Sequence, residues 1–243
     1  MRRSWGFLLL AAMLPGQAGA ETYLGLSLGH GRAKADAFRF HNPDGGPNAV
    51  PATAEDHIPL DGVDRSDGAG AVSLRGGYRP GARPMRFELD YTQRGTVDMS
   101  GFANFGTNGN FRQDLRVRNR TLMAMAYFDH KVSKDWAVYA GGGLGWSQNH
   151  VTGFQGRNLG GTGFFPAKKN NGAAWSVALG ATRPLSERMT LDLGYRYSDL
   201  GVADTGSTDA RFGNLTPFAM NPREKLESKL RLHEVRVGLN WKF

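Results

Sequence analysis

The chain contains no cysteine. Disulfides, thiol nucleophiles and a lipid-modified cysteine are therefore excluded, and stability must rest on the backbone ladder and on packing. It also lacks any apolar run long enough to cross a bilayer as a helix. The longest, Trp5–Leu14, covers about half of the roughly 20 residues a spanning helix needs, and Pro15-Gly16 ends it. With a mean hydropathy of -0.43, the chain either stays in water or crosses lipid as strands. Acidic residues are the minority, 22 against 30 Lys and Arg, for a net charge of +8. What is abundant is glycine, 34 residues, and aromatic side chains at 11%. Few helix caps accompany them, and this composition favours curved, pleated β-structure.

Arg2 and Arg3 precede the apolar run, and Ala18-Gly19-Ala20 offers the small residues of a cleavage site. Residues 1–20 therefore read as a secretory signal peptide, removed to leave Glu21 first and one domain over 21–243. Losing Arg2 and Arg3 lowers the net charge to +6. Export turns the basic balance away from nucleic acid and toward the phosphates of lipopolysaccharide.

Period-two alternation recurs along the mature chain. Met85, Phe87, Leu89 and Tyr91 lie opposite Arg86, Glu88, Asp90 and Thr92; Leu24, Leu26 and Leu28 oppose Gly25, Ser27 and Gly29. Met189, Leu191, Leu193, Tyr195 and Tyr197 form one face of a further strand, and Val235, Val237, Leu239, Trp241 and Phe243 one face of the last. Weaker alternation near 71–79, 117–128, 136–147 and 173–183 completes eight strands. Such alternation also suits a soluble sandwich. The connections discriminate, because they alternate long (33–70), tight (Pro80–Arg83), long, tight (Asp129–Asp135), long (148–172), tight (Pro184–Arg188) and long. An up-and-down transmembrane barrel with short periplasmic turns and four long outer loops has this rhythm; a Greek key has no reason for it.

Hydrocarbon offers no partner to an open sheet edge, so strand one must pair with strand eight. Trp136 and Trp146 share parity and stand roughly 23 Å apart in height, close to the apolar band of an outer-membrane barrel. Tyr78, Tyr127, Trp136, Trp241 and Phe243 are expected at the periplasmic rim, Trp146 and Trp175 at the outer one. On this register Arg86, Glu88, Asp90, Asp192, Arg196, Glu234 and Arg236 point inward, where an eight-stranded lumen has room for side chains and little else. A plugged lumen is expected.

Three stretches carry a family resemblance: Val138-Tyr139-Ala140-Gly141-Gly142-Gly143-Leu144-Gly145-Trp146, Leu191-Asp192-Leu193-Gly194-Tyr195-Arg196-Tyr197-Ser198-Asp199-Leu200-Gly201, and Val235-Arg236-Val237-Gly238-Leu239-Asn240-Trp241-Lys242-Phe243. Across essentially all of 21–243 the chain resembles the small outer-membrane β-barrels of the OmpA/OmpX and opacity-protein superfamily of Gram-negative bacteria, often described as porin-like surface proteins. The resemblance implies residence in the outer membrane. It also implies that Val235, Leu239, Trp241 and Phe243 form the terminal signal read by the outer-membrane assembly machinery. The chain departs from the family in a longer first loop and in having no recognisable C-terminal peptidoglycan-binding domain, so no cell-wall tether is implied. Such barrels serve as adhesins, evasion factors, channels, stabilisers or lipid-modifying enzymes, so fold alone does not choose.

Candidate chemistry is thin. His130 has Asp129 and Ser133 nearby but lies in a tight turn; His233 and Glu234 alternate onto opposite faces; His150 lacks a nearby serine, and the His-x-Ser motif of a barrel lipid A deacylase is absent. No catalytic, metal or cofactor residue is assigned. Asp61, Asp64 and Asp67 lack the spacing of a calcium loop. The first loop is acidic, whereas the third carries Arg157, Lys168 and Lys169 among Phe154, Phe164 and Phe165 without a carboxylate, a composition able to grip lipopolysaccharide. Phe102, Phe105 and Phe111 give the second loop a partner-contacting character. The expected role is a surface-displaying barrel meeting outer-membrane lipids and surface or host ligands; a small porin, with Gly141, Gly143, Gly145 and Gly194 facing a narrow path, is the alternative, and a lipid A-modifying enzyme a third.

Overall fold

A computed structural model describes residues 19–41, 57–65, 68–81, 83–104, 110–158, 161–207 and 225–243. The expected signal segment lies outside them except for Gly19 and Ala20. Strands follow one another as β1 (Glu21–His41), β2 (His57–Arg65), β3 (Ala69–Arg79), β4 (Met85–Asn104), β5 (Asn110–Lys131), β6 (Ala137–Asn158), β7 (Gly161–Pro184), β8 (Met189–Asp204) and β9 (Lys225–Lys242). All pairings are antiparallel between ring neighbours, and β1 pairs with β9 from Tyr23↔Lys242 to His41↔Lys225, which closes the ring. The short β2 pairs with β1 and β4 beyond the end of β3, so β2 and β3 are two lengths of one stave. The result is an eight-stave up-and-down barrel.

The three tight turns, 80–84, 132–136 and 185–188, gather at one end with both termini of the barrel. Gly81 takes the left-handed backbone that the first turn requires (φ 57°). Ser133 and Ser186 cap the other two: their hydroxyls accept from the Trp136 and Met189 amides at 3.2 and 3.1 Å. In the half of the barrel nearest these turns, Leu26, Leu28, Leu89, Leu144, Leu179, Val235 and Val237 are exposed on the outer face, while Ser27, Arg75, Arg86, Asp90, Asp192 and Arg236 are buried inside. Water would not tolerate that belt; lipid requires it.

The strands run far beyond the bounds that the alternation suggests. The 22 residues of β5 climb roughly 50 Å at about 3.3 Å per residue and a tilt near 45°, twice the ~25 Å apolar band. Much of what reads as outer loop is therefore β-ribbon. Residues 148–158 pair with residues 161–171, with His150 opposite Lys169 and Asn158 opposite Gly161. The reason is an exchange of faces. On β9 the outward residues pass from Trp241, Leu239, Val237 and Val235 to His233, Arg231 and Lys229, while the inward ones pass from Arg236 and Glu234 to Leu232, Leu230 and Leu226. Above the lipid the outer face meets water and the inner face becomes a dry core of Val97, Met99, Leu115, Val117, Val151, Phe165, Leu200, Leu226, Leu230 and Leu232. On β4 a bulge between Gln93 and Thr96 shifts the parity, so that Val97 follows Arg94 to the inside.

One rim assignment needs correcting. Tyr127 does not belong to the periplasmic girdle: it points inward and is 4% exposed, and its neighbour Phe128 takes the outer face. The odd positions of β5 from Gln113 to Tyr127 are all buried inside, so the parity of Met123 and Met125 decides it.

Candidate functional site

The lumen is filled in storeys. Lowest, Arg86 holds Glu88 at 2.6 Å and Asp129 at 3.0 Å, while its guanidinium lies 4.3 and 4.4 Å from the ring centres of Tyr127 and Tyr139. Tyr23 donates to Glu88 at 2.5 Å, and Tyr139 to Asp192 at 2.8 Å. Asp192 also receives Arg75 at 3.1 Å. One level up, a single oxygen of Asp90 accepts from both Arg196 (3.0 Å) and Arg236 (3.1 Å), and Thr92 donates to its other oxygen at 2.6 Å. Arg196 continues to the Tyr127 hydroxyl at 3.1 Å and Arg236 to Ser27 at 2.9 Å.

Above these, Arg94 grips Glu234 through two hydrogen bonds and also donates to Asn119 and Thr121 at 2.8 and 3.0 Å. Asn119 passes on to Ser147 and Asn149, and Asn149 caps the Leu200 and Val202 carbonyls, both at 2.9 Å. There the polar filling ends and the apolar core begins. The charges balance: Arg75, Arg86, Arg94, Arg196 and Arg236 face Glu88, Asp90, Asp129, Asp192 and Glu234. Mutual neutralisation is what makes so many buried charges affordable at low dielectric. The space left among Arg75, Arg196 and Arg236 is about 10 Å³, the limit for a single water.

All seven charged residues that parity assigns to the lumen lie within this network. Parity read further would have added Arg94, which continues Arg86, Glu88 and Asp90 on β4, and Arg75, which continues Ala71 and Ser73 on β3. Asp129 and the hydroxyls of Tyr23, Tyr127 and Tyr139 carry no comparable signal, since a tyrosine suits a rim as well as a lumen. Gly143 and Gly145 also face inward, but against Met125 and Met123, whose side chains occupy the room that the glycines vacate.

The three cations of the 148–172 ribbon do not form one patch. Lys168 pairs with Asp204 at 2.6 Å, Lys169 lies on the opposite face of β7, exposed, and the Arg157 side chain lies outside the described residues, as do those of Phe154, Phe164, Asp61, Asp64 and Asp67. Val235, Leu239, Trp241 and Phe243 stand exposed on the outer face and end of β9, the strand that closes the ring. His233 turns outward, away from Glu234, and its ring meets the Tyr195 hydroxyl at 2.5 Å.

Comparison with known proteins agrees with this architecture. A family model described as an outer membrane protein beta-barrel domain matches residues 6–243. The outer membrane protein PagN of Salmonella typhimurium is 31% identical over 132 residues, 51% of this chain and 53% of that protein. The 31 kDa outer-membrane immunogenic protein of Brucella melitensis is 37% identical over 71 residues, 29% of this chain and 24% of that protein. The chain thus spans about half the length of PagN and a quarter of the Brucella protein. Among solved structures, OprG of Pseudomonas aeruginosa shares the fold at a TM-score of 0.53 and 13% identity, over 94% of this chain and 98% of that one. A closed eight-stave barrel with an apolar outer belt and a charged, filled lumen, matched by the family model along nearly its full length, is a member of the outer membrane protein beta-barrel family, resident in the outer membrane.

Proposed function

We propose that this outer-membrane barrel is a closed, non-catalytic anchor that holds a stiff, water-exposed β-structure above the lipid and presents it, with its connecting segments, as a binding surface. The observation that carries this reading is the filling of the lumen: a balanced charge network below and a dry apolar core above leave no aqueous path among the described residues. A channel would place a continuous polar surface where Leu115, Leu226 and Leu230 are each at most 1% exposed. The immunogenicity in the name of the Brucella relative fits display at the cell surface.

Lipopolysaccharide is the natural neighbour of the outward face. Arg120 and Arg118 follow Leu122 on that face of β5, and His150 and Lys169 stand beside Arg118 on β6 and β7, at the height where lipid gives way to phosphate. Of the two ribbon cations whose side chains are described, Lys169 is the one so placed. Val235, Leu239, Trp241 and Phe243 serve as the assembly signal, and removing Phe243 should lower the yield of inserted barrel.

The test is single-channel conductance of the refolded mature protein in a planar bilayer, after its heat-dependent gel mobility has shown that the barrel has formed. Silence is expected. Discrete, reproducible steps would overturn the closed anchor in favour of a porin. Mass spectra of lipid A from cells with and without the protein should coincide; a new lipid A species would assign catalysis.

A further inference from the structure

The end of the barrel that carries the tight turns holds a cavity of about 640 Å³ that the anchor role does not use. It opens to the periplasm and falls within the roughly 300–1,000 Å³ typical of small-ligand sites. Arg79, Arg83, Arg86, Lys131, Lys134 and Lys242 line it, against the carboxylates Glu21, Asp129 and Asp135. Two of those carboxylates are already shared. Glu21 holds Arg79 (3.4 Å) and Lys242 (3.1 Å), and Asp129 holds Arg79 (2.8 Å) and Arg86 (3.0 Å). Arg83, Lys131 and Lys134 have no ion-pair partner among the described residues and are exposed.

The backbone that carries these three cations comes from two tight turns and a strand end. Arg83 sits in the 80–84 turn, Lys131 ends β5, and Lys134 sits in the 132–136 turn. The Asp129 amide donates to the Pro84 carbonyl at 2.7 Å, tying the first turn to the end of β5 two residues before Lys131, and the second turn is closed by the Val132 amide on the Trp136 carbonyl at 3.0 Å. Trp136 and Phe128 add an apolar edge. A concave mouth with surplus positive charge, walled by a low-dielectric barrel, concentrates anions. A guanidinium fork and two ammonium groups lining one cavity suit the several oxygens of a phosphate.

The geometry points to a phosphate-binding site in the periplasmic mouth, with Arg83, Lys131 and Lys134 supplying the uncompensated charge. The phosphate belongs either to the headgroup of an anionic phospholipid of the inner leaflet or to a soluble phosphate ester of the periplasm. The site is independent of the anchor role: it faces the opposite side of the membrane and lies below the closed lumen.

Calorimetric titration of pyrophosphate into the mature protein, folded in zwitterionic micelles, tests it. Saturable one-to-one binding is expected, weakened at least tenfold in Arg83→Ser/Lys131→Ser/Lys134→Ser. These residues are exposed and have no ion-pair partner among the described residues, so the variant should keep its heat-dependent mobility, which is checked first. A control at the same end but outside the cavity, Arg188→Ser, should bind as the parent does. Doping the micelles with phosphatidylglycerol identifies the source: competition with pyrophosphate assigns the lipid headgroup, and undiminished pyrophosphate binding assigns the soluble ester. No saturable binding by the folded parent, or equal affinity in the folded triple variant, would overturn the site.

Discussion

Arg94 and Glu234 lie 140 positions apart in sequence and meet inside the barrel as a two-bonded pair, Nη2 to Oε2 at 2.6 Å and Nε to Oε1 at 3.2 Å, each side chain 1% exposed. They mark the boundary between the charged lower lumen and the apolar upper core. Burial makes each dependent on the other, because a lone charge at that level has lost its hydration without gaining a partner.

Arg94→Met or Glu234→Leu alone should therefore destabilise the barrel by about 3–5 kcal/mol, while the double variant should recover most of the loss. Urea unfolding in lipid vesicles, followed by tryptophan fluorescence, measures the cycle. Additive losses would mean that the pair is not coupled.

The outer ribbons should behave as a packed core. On β9, Leu230→Ala removes a fully buried side chain and should cost about 2–5 kcal/mol, whereas Lys229→Ala, one residue away on the wet face, should stay within about 0.5 kcal/mol. Proteolysis of the inserted protein gives a second readout, since only the first variant should expose cleavage sites in this strand.

Depth in the membrane should be legible on one face of β4. Leu89 and Gln93 share the outward face; Leu89→Arg should cost about 2–4 kcal/mol and Gln93→Arg about 0–1 kcal/mol, because the second lies near the interface. Equal costs would place the belt wrongly.

Gly143 marks a close approach of neighbouring strands. A Cβ there would stand 2.1 Å from the Ala124 carbonyl oxygen and 2.6 Å from the Met125 sulfur. Gly143→Ala should lose about 1–3 kcal/mol by overpacking, and adding Met125→Ala should restore only part of it, since the backbone clash persists. Vesicle unfolding of the two variants decides.

The amino-acid sequence by itself determined the barrel and its orientation of faces. Alternation with period two around Leu89 and Val237, the rhythm of tight and long connections, and the lack of a spanning helix lead to closed antiparallel staves, because each follows from local geometry and from the demand that lipid makes on backbone polar groups. Parity also separates inward charges such as Asp90 and Arg196 from the outward belt. It does not say which charge meets which: Arg94 finds Glu234, and Asp90 serves both Arg196 and Arg236, only once eight staves have closed and set the register across the lumen.

Nor could alternation alone show how far the staves continue. Between Val235 and Leu232 the apolar residues change faces, because above the membrane the outside is water and the inside is protein. A search for one apolar face stops there, although the hydrogen-bonded ladder does not. The same holds at the other end, where Arg83 and Lys134, 51 positions apart, line one cavity only because the pairing of β4 with β5, continued by the Asp129 amide on the Pro84 carbonyl, brings their turns to one mouth. Local pattern set the strands; closure, which pairs distant residues and divides lipid from water, decided what fills them and what their two mouths present.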